Sequence, residues 1–396
     1  MKKIYILMIA ILIGNIAEAQ WQQVFYNNCT SYSCWISTLG VSGNTIYAST
    51  SYAGVYMSSN NGISWNMADT GLQKNIVSSF APIGNNVLAA TSQGVFLSTN
   101  NSGNWNAINT GLTNLDVRAL LINGSDIYAG TIGGIFKSSN NGNSWNAIST
   151  GLTDTAISSL AVNGNTIYAG TYRRGVFLST NNGNNWSAIN NGLSDTAITS
   201  LAISGVNIVA GTKYGKMFIS SNNGNSWSNV FIPPYYPSEW HVSSFATIGN
   251  TVFAAIMFSG VYMSNDNGSN WTFANTGMLD SVNTLTICGN EIFAGTWVGL
   301  CKRPLSQLTE INKKSIQTNL FIFPNPATNS LTLNLAELKN LQNTTVSIYD
   351  IQGKLLLQQN RLQPQTELDI SGFAKGIYII KLINEKETMQ SKFIKE

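Results

Sequence analysis

One arrangement of apolar and polar positions recurs along most of the chain. From Ile157 it reads as the apolar run ISSLAV, the polar turn Asn163-Gly164-Asn165, the run TIYAGT, a variable loop, and GVFLST. A polar stretch then ends at Trp186, followed by SAI and a turn through Gly192. Short apolar runs bounded by Gly and Asn are strand signals, and none is long enough to suggest a helix. Each repeat therefore predicts four short antiparallel strands in a meander.

The polar stretch is itself a motif, Ser-x-Asn-x-Gly-x-x-Trp. It appears at Ser58–Trp65, Ser138–Trp145, Ser179–Trp186 and Ser220–Trp227; Ser102 replaces the Gly in a fifth copy, and Asp266 replaces the Asn in a sixth. The six tryptophans stand 40, 40, 41, 41 and 44 residues apart, a period of one propeller blade. Innermost strands are expected to start at Ile36, Val77, Val117, Ile157, Ile198, Val242 and Val282. A strand at Trp21–Val24 has no motif before it, and the last repeat has no motif or outer strand after Leu300. Together they complete one blade, which closes the ring and removes its free edges. The predicted fold is all-β: a seven-bladed β-propeller over 20–305, a linker at 306–318 and a small immunoglobulin-like β-sandwich over 319–396.

The motif resembles the Asp-box of sialidases, xyloglucan-type glycosidases and sortilin-type receptors, with Asn for Asp in five copies. Its residues suit a structural turn: a short polar side chain accepts backbone N–H groups, Gly takes positive φ, and Trp packs on a neighbouring sheet. In a meander, successive loops alternate between the two faces. The motif turns and the Gly-Asn turns share a uniform face, and departures from the repeat collect on the other.

Those departures supply the binding candidates. Connections from Trp21 to Ile36 and from Trp227 to Val242 span 15 residues, where four others span 12. Aromatic residues gather on the sixth, seventh and first repeats (Trp240, Phe258, Trp297, Trp35, Tyr52), with His241 beside them. Tyr172, Arg173, Arg174, Lys213 and Tyr214 gather on the fourth and fifth. Aromatic platforms beside positive charge suit a glycan with acidic groups or another anionic polymer; the structural alternative is that the rings plug the channel mouth. A glycoside hydrolase or lyase would need paired carboxylates, for which Asp154, Asp195 and Glu239 are the candidates. A protein-interaction scaffold is the third reading. Asp154-Thr155-Ala156, Asp195-Thr196-Ala197 and Asp280-Ser281-Val282 resemble the short O-glycosylation motif of exported proteins in bacteria with type IX secretion, which implies Thr155, Thr196 and Ser281 as acceptors.

Charge narrows the classes. The repeat region holds nine basic and nine acidic residues, so a nucleic-acid footprint is absent. Lys2-Lys3, an apolar run from Ile4 to Ile13, and Ala17-Glu18-Ala19 read as a signal peptide over 1–19. No later stretch is apolar enough to span a membrane. Cys29 and Cys34 could close a disulfide in an exported chain; Cys288 and Cys301 suggest no pairing. With one histidine and no CxxC pair, neither a metal site nor a cofactor is expected, and a monomer is.

After Pro304 the repeat stops. Phe323-Pro324-Asn325-Pro326, Tyr349-Asp350-Ile351-Gln352-Gly353-Lys354, Gly376-Ile377-Tyr378 and the terminal Lys392-Phe393-Ile394-Lys395 follow in order. These segments resemble the type A C-terminal sorting domain of the type IX secretion system. The resemblance implies that 319–396 is recognised by that machinery and that the protein reaches the outer-membrane surface or the medium.

Overall fold

The computed structural model describes residues 20–25, 35–51, 53–72, 75–101, 103–230, 241–275, 278, 281–309, 321–335, 341, 344–350, 354–360, 362–383 and 388–396. Cys29, Cys34, Tyr52, Glu239, Trp240 and the leader 1–19 lie outside these residues. The chain forms two compact units that divide between Leu305 and Ser306.

The described residues of the first unit form seven four-stranded antiparallel sheets. Their innermost strands are Ile36–Ser42, Val77–Ile83, Val117–Asn123, Ile157–Asn163, Ile198–Ser204, Val242–Ile248 and Val282–Cys288, which number sheets 1 to 7 here. All seven begin where the repeat predicts. Each innermost strand packs against the next, and that of sheet 7 against that of sheet 1. The fit is close: a Cβ on Gly295 of sheet 7 would stand 2.6 Å from Ile36 Cγ2 of sheet 1. Glycine there leaves room for the Ile36 side chain of the neighbouring sheet.

The core lies between the sheets. Second strands such as Thr166–Thr171 are buried almost throughout because both faces meet a neighbour, which is why they read as unbroken apolar runs. Tyr128 of sheet 3 joins Ile157, Ile167, Phe177 and Trp186 of sheet 4, and Tyr168 of sheet 4 repeats the move into sheet 5.

The motif turn is built by its own side chains. Ser179 Oγ accepts the Gly183 N–H at 2.8 Å, and Asn181 Oδ1 accepts the Asn185 N–H at 3.0 Å. Asp266 does the same for Asn270 at 2.8 Å, and bonds from Asn270 and Ser264 hold its carboxyl below the usual range against the opposing effect of burial. Trp105, Trp145, Trp186 and Trp227 each donate Nε1–H to a carbonyl of the preceding sheet, at 2.6–2.8 Å. Trp65 and Trp271 bond to Gly62 and Gly268 of their own turns instead. These two follow the two connections of 15 residues.

Sheet 7 closes with Gln22–Phe25, which pairs with Leu300–Pro304. Trp21 takes the place of the missing motif Trp, donating to Ala274 O of sheet 6 at 2.8 Å. Residues expected to be linker include a short helix, Leu305–Thr309. Cys288 is a free, buried thiol.

In the second unit, a three-stranded sheet (Phe321–Phe323, Ser330–Asn334, Gln365–Asp369) and a four-stranded one (Leu355–Asn360, Thr345–Asp350, Gly376–Ile383, Thr388–Lys395) enclose one core. Leu331, Leu333 and Leu368 meet Val346, Ile348, Ile380 and Phe393 there. Asn325 of the opening motif accepts the Ile394 N–H at 2.9 Å and donates to Lys392 O at 3.2 Å. The two ends of the unit are thereby tied together.

Candidate functional site

The two variable loop classes meet on one face, as the alternation of a meander requires. Phe258 N–H donates to Ser281 Oγ at 2.9 Å, Thr196 Oγ1 donates to Arg173 O at 2.9 Å, and Met257 N–H reaches His241 O at 3.0 Å. Every one of these pairs joins a loop inside a sheet to the connection leading into that sheet or the next.

Three predicted aromatics come together at sheets 6, 7 and 1. Trp297 lies edge-on to Phe258 with ring centres 5.1 Å apart, and nearly parallel to Trp35 at 6.3 Å. They remain 37–49% exposed, so the packed rings reach the surface. Trp297 Nε1 donates to Asn283 Oδ1 at 3.2 Å, and Asn283 Nδ2 donates to Ile36 O at 3.3 Å. The platform is thus anchored across the junction of sheets 7 and 1. Phe258 has φ +62°, a left-handed conformation uncommon for a bulky residue and found where a surrounding structure enforces it.

On sheets 4 and 5, Tyr172, Arg173, Arg174, Lys213 and Tyr214 are all exposed. Lys213 Nζ stands 6.0 Å from the centre of the Tyr214 ring. His241 is half-buried, and burial first, then the Lys213 charge, push its imidazole below the ordinary value. The unfolded chain therefore takes up a proton near pH ~6.5 while the folded one resists it, so stability falls as pH drops through that region. Thermal unfolding at pH about 7.5 and about 5.5 checks this: His241→Asn is expected to narrow the wild-type difference, and an unchanged difference counts against the assignment.

Two of the three carboxylate candidates are described, and each accepts a local backbone N–H, while the buried Oδ2 of Asp195 has no partner among the described residues. Asp154 accepts the Ala156 N–H at 3.1 Å and the Arg173 N–H at 3.2 Å; Asp195 accepts the Ala197 N–H at 3.0 Å. Both act as turn residues. Among the candidate acceptors, Thr155 and Thr196 donate to carbonyls, and Ser281 is buried with its hydroxyl under Phe258. No cluster of three metal-ligating side chains occurs among the described residues.

One residue on this face, Arg118, is not among the sequence-derived candidates; its partner Asp116 reads from the sequence only as a carboxylate near Asp154 and Asp195. Every innermost strand carries a register irregularity spanning its second residue. That residue is Ser37, Ser78, Ser158, Thr199, Ser243 or Asn283 in six sheets and Arg118 in sheet 3. Ser37, Thr199, Ser243 and Asn283 bond to the first carbonyl of the next innermost strand. Arg118 instead turns to Asp116, with Nη2–Oδ2 2.8 Å and Nε–Oδ1 2.6 Å. The bond to Asp116 holds its guanidinium above the ordinary value against burial, and the nearby Tyr172 hydroxyl adds to this. Reading the repeats as a column, with Arg118 against Ser158 and Thr199, is the signal that finds it.

Comparison with known proteins assigns the second unit. Residues 321–396 match the secretion system C-terminal sorting domain, and the protein is accordingly secreted, at the outer-membrane surface or extracellular. The funoran endo-beta-hydrolase of Wenyingzhuangia aestuarii is 36% identical over 76 residues, 19% of this chain and 10% of that protein. The chain thus spans about a tenth of that curated relative. Among solved structures, the extracellular domain of a one component system from B. thetaiotaomicron has a TM-score of 0.60 at 16% identity, covering 80% of this chain and 46% of its own. The GH74 xyloglucanase from Xanthomonas campestris has 0.58 at 13%, covering 80% and 59%. PorZ, a surface component of the type-IX secretion system of Porphyromonas gingivalis, has 0.54 at 15%, covering 90% and 59%. At these identities the likeness is one of fold, that of β-propellers.

Proposed function

We propose that the first unit is a seven-bladed propeller of the Asp-box kind that binds glycan on its variable face, and that type IX export through 319–396 delivers it to the cell exterior after removal of 1–19. The observation that carries the binding reading is the exposed, anchored cluster of Phe258, Trp297 and Trp35. Exposed rings are costly to keep on a soluble surface, and a contiguous group of them beside polar residues marks a recognition site. The basic loops of sheets 4 and 5 suit acidic groups on the same polymer. Asp154 and Asp195 serve their own turns, which favours a binding module over a hydrolase.

A glycan array and calorimetry on the mature protein test this. Trp297→Ala is expected to weaken binding by about tenfold or more, the loss of a stacked ring, with little change in unfolding. A blank array joined to specific capture of a protein would favour the scaffold reading. Release of reducing ends would favour the hydrolase.

A further inference from the structure

Arg118 breaks the repeat, beside Asp116 at a position that varies from sheet to sheet. Asp116 stands where sheets 4 and 5 have Ala156 and Ala197, and Arg118 where they have Ser158 and Thr199. The two meet in a two-point ion pair on the variable face, with Arg118 and Asp116 side chains 41% and 24% exposed. Exposed pairs of this kind add little stability, so the fold gains little from replacing a serine or threonine latch with them.

The pair's chemistry is specific. Asp116 occupies the Nε and Nη2 side of the guanidinium, and the Nη1 hydrogens have no partner among the described residues. Asp116 Oδ1 is buried against Nε, so the Nη1 donors lie beside Oδ2 as the carboxylate's remaining acceptor, while the charges cancel. Such a surface cannot concentrate a polyanion as Arg173, Arg174 and Lys213 do. It matches a group that both donates and accepts, namely two neighbouring sugar hydroxyls.

We propose that Asp116 and Arg118 form a second sugar subsite, which reads an uncharged pair of adjacent hydroxyls. This rests on the glycan reading above and adds to it a residue set and a chemical class.

The test uses the full mature chain and titrates laminarihexaose, cellohexaose, xylohexaose and a sulfated carrageenan hexasaccharide at about 0.05 M and about 0.5 M NaCl. The double variant Asp116→Ala, Arg118→Ser installs the residues that sheet 4 has there, so its sheet is expected to fold. For whichever probe the wild type binds, this variant should lose about tenfold or more, by a factor that does not change with salt. Arg118→Lys should not restore binding, because an ammonium lacks the fork. Full affinity in the double variant, beside a loss in Trp297→Ala, overturns the subsite and leaves the glycan reading standing. A loss that vanishes at high salt, or rescue by lysine, also overturns it, since either marks a charge site. A wild type that binds no probe overturns the glycan reading and the subsite with it.

Discussion

Trp21→Ala is expected to lower the unfolding free energy of the ring by about 3–5 kcal/mol, the usual cost of truncating a buried tryptophan. The indole is 5% exposed and donates to Ala274 O across the junction of sheets 7 and 6. It stands at the one place where no motif turn holds its strand. In the other sheets a serine such as Ser138 pairs with the second strand opposite Ile127 and organises the turn. In sheet 7 the equivalent residue is Arg303, opposite Ile292, fully buried and with burial pushing its guanidinium down. Arg303 Nη1 reaches the same Ala274 O at only 3.5 Å, so it is a weak substitute for the lost bond. All ten tryptophans precede Leu305, and tryptophan fluorescence during urea unfolding therefore reports the ring alone. A control at Ile63, 78% exposed, should change stability by less than about 0.5 kcal/mol. If Trp21→Ala behaves like that control, the N-terminal strand does not lock the ring.

Deleting 321–396 should abolish appearance of the protein outside the cell and leave it in the periplasm. The deletion removes a unit with its own core, so the ring should keep its fluorescence and unfolding midpoint. Retention would then reflect lost recognition and not misfolding. Phe393→Asp provides the finer test. Phe393 is fully buried and stacks on Tyr378 with ring centres 5.5 Å apart; an unpaired carboxylate there costs far more than this small core can bear. It is expected to mimic the deletion. Normal secretion of the truncated chain would overturn the role given to these residues.

The regular parts of the fold were legible because they depend on local alternation. The strand starts from Ile36 to Val282 were each readable from a turn and a change of period. The closing role of Trp21 could be inferred from a strand without a motif paired with a motif-less last repeat. The platform of Phe258, Trp297 and Trp35 was legible only as a tendency, since the residues are far apart in the chain and meet through sheet order. Ser281 shows the converse. Its tripeptide reads like those of Thr155 and Thr196, yet its hydroxyl is buried beneath Phe258, because the loop of sheet 6 folds over it.

By itself, then, the sequence determined the repeat, the number and order of the sheets' strands, the uniform face and the sorting tail, all properties of patterns repeated or ordered along the chain. Only the tertiary structure decided which departures from the repeat touch. Arg118 looks like a lone exception in its column, and the structure is what shows it turned to Asp116 and away from the next innermost strand. Trp65 and Trp271 likewise keep the motif but exchange the partner. A side chain's neighbours depend on how adjacent sheets pack, which a period of about forty residues specifies on average and not at the places where it is broken.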